Sequence, residues 1–175
     1  YGMFCANGIL FNHESPFRGE TFVTRKISRA VGRIHMGLQS KLTLGNLNAK
    51  RDWGFAGDYV DGMYKILDYS EPEDWVIATG SAHSVENFAK IAFNLIDKNY
   101  EDYIETSERY LRPNEVNYLL GDPTKANKLL NWKSSTSLEE LIKLMVESDI
   151  EIATKEKMLL DNGLIKPTWE NPIVS

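Results

Sequence analysis

Cys5-Ala6-Asn7-Gly8-Ile9-Leu10-Phe11, followed at once by Asn12-His13-Glu14-Ser15-Pro16-Phe17-Arg18-Gly19, decides how the chain is read. The first stretch is short and mainly apolar, which predicts a buried strand. The polar run after it, broken by Pro16 and Gly19, predicts a turn. Ligands of open α/β sheets bind at the carboxyl ends of strands, so such a turn is a candidate site. Asn12 and His13 offer neutral hydrogen bonds, and Arg18 offers a planar fork suited to phosphate. On chemistry alone, a solvated turn accounts for the same residues.

Working outward, Val23, Ile27, Ala30, Ile34 and Leu38 recur at helical spacing and predict a helix from about Thr21 to Leu38. Lys26, Arg29 and Arg33 share another face of it, read for Arg29 and Arg33 as an ordinary solvated face. Short strands are expected at Lys41 to Leu47, Trp75 to Thr79, Tyr100 to Thr106 and Val116 to Leu120. Asp58 is expected to cap a helix through Tyr69, and Ser84 another through about Ile96. Asp122-Pro123 marks a helix start, and Ser137-Leu138-Glu139-Glu140 a capping box opening a helix to about Leu160. Alternating strands and helices place the chain in the α/β class. A Gly-rich strand–turn–helix that could hold a dinucleotide pyrophosphate is missing.

The bulk composition narrows the function classes. The chain has 175 residues, 42% hydrophobic and 26% charged, as expected of a globular chain. A net charge of -5 argues against a nucleic-acid partner. The apolar runs fall short of the ~18 residues a membrane span needs. The single cysteine, Cys5, excludes an intrachain disulfide and reads as a buried, inert thiol. His13, His35 and His83 stand at no metal spacing, and no metal is expected.

Two further stretches offer anion chemistry. Arg51-Asp52-Trp53 follows a Gly-Asn turn, so Arg51 can reach a diphosphate with Asp52 and Trp53 holding it; a surface ion pair is the plainer account. Arg112-Pro113-Asn114-Glu115 pairs a phosphate-binding Arg with a Glu able to accept from ribose hydroxyls; a charged loop explains it equally.

In order along the chain, several blocks resemble the GDP-mannose 4,6-dehydratase family. They are Asn7 to Pro16, Phe22 to Ile27, Leu44-Gly45-Asn46, Arg51 to Gly54 and Trp75 to Gly80. Arg112 to Val116, Leu120 to Ala126 and Leu130 to Lys133 continue the series. The Asn-His-Glu-Ser-Pro block is specific to that family, whereas Arg-Asp-Trp is shared with many extended short-chain dehydrogenase/reductase enzymes. The likeness runs from residue 1 to about 150 and leaves the segment after about Lys155 without a match.

The resemblance implies the carboxyl-terminal part of an extended Rossmann-type enzyme: the last sheet strands plus a small substrate-binding α/β lobe. It sets residues 1–160 as a partial domain and 161–175 as a loose tail. By position, His13 and Arg18 match contacts to NADP, and Asn12, Val23, Lys26, Arg51, Arg112 and Glu115 match contacts to the GDP part of GDP-mannose. The implied reaction is an internal redox cycle. NADP takes a hydride from C4 of the mannose, water leaves across C5 and C6, and the hydride returns to C6 to give GDP-4-keto-6-deoxymannose. The family's catalytic Tyr-x-x-x-Lys pair is expected upstream, because Cys5 stands four residues after Tyr1 where Lys is required. No catalytic residue is therefore assigned, and the chain alone is expected to be inactive. A cytoplasmic homodimer or homotetramer is implied for the complete protein. Phe17 stands where many members carry a second Arg, which puts one cofactor or subunit contact in doubt. A related nucleotide-sugar epimerase or reductase, or a non-catalytic sugar-nucleotide-binding module, are the alternatives.

Overall fold

A computed structural model describes residues 1–110, 114 and 116–166. The chain starts on β1 (Gly8–Leu10), passes Phe11, and continues as β2 (Asn12–Glu14). β1 pairs in parallel with β5 (Trp75–Ile77), and the pairing extends by one bond from Phe11 N–H to the Ile77 carbonyl, 3.0 Å. At that point the partner changes. β2 pairs in parallel with β4 (Lys50–Phe55), which pairs antiparallel with β6 (Ala82–Ser84). Away from these, β3 (Leu42–Leu44) pairs in parallel with β7 (Ile104–Thr106).

The helices are α1 (Val23–His35), α2 (Ala56–Leu67), α3 (Val85–Asn94), α4 (Thr124–Leu129) and α5 (Leu138–Asp161). The α1 stripe works as its spacing demands: Ile27, Ala30 and Ile34 are buried against α3 and α5 together with Leu42, Leu44, Trp53 and Phe88. A second core gathers Tyr59 and Ile66 of α2, Trp75 and Ile77 of β5, and Ala126, Leu130 and Trp132. Ser84 caps α3 by accepting from Asn87 N–H, and the Ser137–Glu140 capping box forms in full. Asp122 accepts from both Thr124 N–H and its hydroxyl, opening α4 one residue beyond Pro123.

Several expectations need correction. Asn12 to Glu14 is strand, not turn, because β4 supplies a partner for its backbone. β4 was assigned no element by the sequence; its charged residues hide a strand whose Asp52 and Trp53 are buried. Asp58 does not cap α2, which starts two residues earlier. Tyr100 to Asp102 is a 3-10 turn ahead of β7, and of residues 116–120 only Tyr118 forms a bridge, with Lys50. Cys5 is exposed, and Ile9 is 53% exposed, since β1 pairs on one side only among the described residues. Arg33 is 8% exposed rather than solvated, and it pairs with Glu156 of α5 at 2.8 Å. Among the described residues, no helix is long and apolar enough to cross a membrane.

Candidate functional site

Side chains on a strand alternate between faces, and β2 uses both. His13 lies on the α2 side, its ring stacked 5.3 Å from that of Tyr59 at 29°. Glu14 lies on the α1 side, where Thr24 donates to its Oε2 at 2.6 Å. The His13–Tyr59 stack depends on Gly54, opposite His13 in register. A Cβ there would stand 2.4 Å from the Tyr59 ring.

The partner change at Phe11 leaves an open hollow of about 400 Å3 at the carboxyl end of β1. Ile9, Leu10, Phe11 and Leu119 give it apolar walls; Asn12, His13 and Arg18 give it polar groups. Three of the residues singled out in the sequence therefore meet in one place. His13 Nδ1 is 2.8 Å from the Phe11 carbonyl, and donating that proton leaves Nε2 as an acceptor. The Arg18 guanidinium lies 3.7 Å from the Phe22 ring centroid, with Nε 3.3 Å from Glu14 Oε2. That Nε is buried and makes no well-directed hydrogen bond, so Glu14 holds it as a charge. Burial pushes the Glu14 carboxyl up; the Thr24 hydrogen bond and the positive charge of Arg18 oppose it.

α1 brings the candidate residues Val23 and Lys26. Among the described residues no side chain caps its first turn, and no acid stands in that turn. The backbone N–H groups beginning at Val23 thus carry the positive end of the helix. One turn on, Lys26 is half-buried; its Nζ donates to the Thr43 carbonyl at 2.7 Å and lies 4.0 Å from the Tyr110 ring centroid. Burial lowers its pKa. Arg51, on β4, donates from Nη1 to the Lys50 carbonyl at 2.8 Å and shares the Trp53 face by strand alternation. Arg112 and Glu115 lie outside the described residues.

Asp52 does not hold Arg51 as expected. It is fully buried and accepts from Thr79 N–H (2.9 Å), Thr79 hydroxyl (2.6 Å), Gly80 N–H (3.0 Å) and Gly121 N–H (3.2 Å). Trp53 packs in the core, edge-on to Phe88. Sequence reading gave Glu14, Thr24, Arg25, Tyr59, Tyr110 and Asp149 no part. Glu14 had a visible signal, an acid inside the Asn-His-Glu-Ser-Pro block; the Arg25–Asp149 pair spans 124 residues and leaves none.

The family model described as GDP-mannose 4,6 dehydratase matches residues 1–145. GDP-mannose 4,6 dehydratase 2 of Arabidopsis thaliana is 55% identical over 163 residues, covering 93% of this chain and 44% of the relative. The Homo sapiens GDP-mannose 4,6 dehydratase is 46% identical, over 87% of this chain and 45% of the relative. The chain thus spans about half the length of the curated relatives it matches. Among solved structures, RMD from Pseudomonas aeruginosa complexed with NADPH superposes with a TM-score of 0.79 at 17% identity, over 86% of this chain and 50% of that one. dTDP-glucose 4,6-dehydratase from Bacillus anthracis, in complex with NAD, gives 0.69 at 17% identity, over 81% and 43%. At such identities these two speak for the fold alone, an α/β fold of the Rossmann type.

Proposed function

The chain belongs to the GDP-mannose 4,6-dehydratase family, and from that premise we propose that it forms the nucleotide-sugar-binding part of a subunit that turns GDP-mannose into GDP-4-keto-6-deoxymannose and water with NADP. The observation that carries this reading is the meeting of Asn12, His13 and Arg18 at one hollow beside the β1–β2 partner change. Crevices of this kind, at the carboxyl ends of strands, take nucleotides.

The donor set suits a phosphorylated cofactor. Arg18 brings a fixed cation with a buried Nε that lacks a well-directed partner, and His13 brings an oriented ring nitrogen. When bound, NADP supplies the hydride acceptor and donor for the redox cycle. This chain's own residues bind and orient. His13 and Arg18 hold the cofactor. Val23, through the start of α1, and Lys26, Arg51 and Arg112, through their charges, hold the GDP diphosphate; Asn12 and Glu115 complete the contacts to the GDP part, Glu115 accepting from ribose hydroxyls. The working unit is residues 1–160 with 161–175 as a tail, and the complete protein is a cytoplasmic homodimer or homotetramer.

The test joins this sequence to the amino-terminal half of a family member and supplies GDP-mannose and NADP. We expect the 4-keto product to form. Arg18→Ala should weaken NADP more than GDP, and Arg51→Ala should weaken GDP by ~1.5–3 kcal/mol, the range for hydrogen bonds to charged groups. A folded, cofactor-loaded protein that yields no product, or the reverse ranking of the two ligands, refutes the reading.

A further inference from the structure

Arg25 belongs to the α1 turn between Val23 and Lys26, yet it does not line the hollow and is 6% exposed. Its Nε reaches both oxygens of Asp149 on α5, at 3.1 and 3.0 Å, and Nη2 reaches Oδ1 at 2.8 Å. Ser28 donates to Asp149 Oδ2 at 2.6 Å, so the carboxylate is held from two sides. The helices can come this close because position 32 is glycine; a Cβ there would stand 2.7 Å from the Asp149 backbone.

The remaining nitrogen of the fork, Nη1, points at the loop after β2. It donates to the Pro16 carbonyl and, at 3.3 Å, to the Arg18 carbonyl. That loop is a tight turn closed by Arg18 N–H to the Ser15 carbonyl at 3.0 Å. One guanidinium thus anchors on a carboxylate with one edge and grips the backbone carrying Arg18 with the other. A bidentate fork can do both at once; a lysine ammonium cannot. Asp149 lies beyond residue 145, where the family model's match ends.

We propose that Arg25, braced by Asp149, is a positioning residue that sets the Arg18 side chain for the cofactor phosphate. The inference rests on the assignment of Arg18 to NADP. Its reach extends the working site into α5, which touches no part of the hollow.

The experiment uses Arg25→Lys in the complete subunit, which keeps a cation beside Asp149 and removes the fork. If that variant does not fold, Arg25→Met combined with Asp149→Leu, which leaves no buried charge unpaired, replaces it. Calorimetry measures NADP and GDP affinity, and hydrogen exchange follows the amides of residues 15 and 17–19. We expect NADP binding about tenfold weaker, or about 1.4 kcal/mol, GDP binding unchanged, and faster exchange in the loop. In an Arg18→Ala background the same change should cost no further NADP affinity. Unchanged exchange, equal weakening of both ligands, or an undiminished NADP loss in the Arg18→Ala background overturns the proposal. Faster exchange with an Arg18→Ala protein that binds NADP normally refutes instead the assignment of Arg18 to the cofactor.

Discussion

Replacing Asp52 by Asn keeps the shape of the side chain and removes only its ability to accept on every side. In the native fold, four donors converge on the carboxylate: Thr79 N–H and hydroxyl on Oδ1, Gly80 and Gly121 N–H on Oδ2. An amide offers one oxygen. With the oxygen toward Thr79, the NH2 group opposes both Gly80 and Gly121 N–H. With the amide flipped, the Thr79 hydroxyl can turn to accept, but Thr79 N–H still faces an amide nitrogen. The better orientation therefore strands one backbone donor, costing about 1–3 kcal/mol. The bonds that survive lose their charge assistance, so the expected total is about 2–4 kcal/mol. Urea unfolding of the complete protein measures it. With a slope of ~2 kcal/mol/M, the midpoint should fall by about 1–2 M. The change acts through the 79–80 and 121 segments, so Lys26 and its Thr43 contact should be untouched. A loss under about 0.5 kcal/mol, typical of an exposed site, would mean that the convergence of donors on Asp52 is not what fixes these loops.

Burial pushes the Asp58 carboxyl up, but hydrogen bonds from Thr136, Ser135 and Ser134 together outweigh it and hold the group below its ordinary 3.8. A depressed acid stabilises the fold above its unfolded pKa and loses that contribution as pH falls through the folded one; the stability gap between wild type and Asp58→Asn, read by urea melts from pH 7 to 3, should therefore be full at pH 7 and shrink below about 4, and a gap independent of pH would refute this. For Lys26, whose pKa burial lowers from 10.5, GDP affinity should be full while the amine is protonated and decline as pH rises through the lowered value. Titrations of Lys26→Met should show weaker GDP binding without that alkaline limb, and an identical limb in the variant would remove Lys26 from the site.

Much of the architecture was legible because local chemistry and fold agree. The α1 stripe, the Ser84 cap and the Ser137 capping box each need only neighbours within four residues. β4 was not legible. Lys50, Arg51 and Asp52 look like loop, and only distant partners make them strand: β2 on one side, β6 on the other, and the amides of residues 79, 80 and 121 around Asp52. Asp58 misled for a similar reason. It was read for its own helix, whereas its carboxylate takes donors from Ser134, Ser135 and Thr136, more than seventy residues on.

The candidate site divides along the same line. Asn12, His13 and Arg18 could be found because a polar block followed an apolar one. What orients them could not, because each support comes from another element: Tyr59 beneath His13, Thr24 against Glu14, Asp149 behind Arg25. Register explains why this division matters. β2 is held with Asn12 opposite Trp53 and His13 opposite Gly54. A slip of one residue would exchange the two faces. It would bring His13 toward the apolar core around Trp53 and turn the Glu14 carboxylate onto the Tyr59 side, away from Thr24. Gly54 guards against this, since only a residue without Cβ admits the Tyr59 ring at that point and gives His13 a surface to stack on. The specificity of the Asn-His-Glu order thus lies in strand alternation: His13 on one face, Asn12 and Glu14 on the other, in a register that a glycine and a buried tyrosine on other elements enforce.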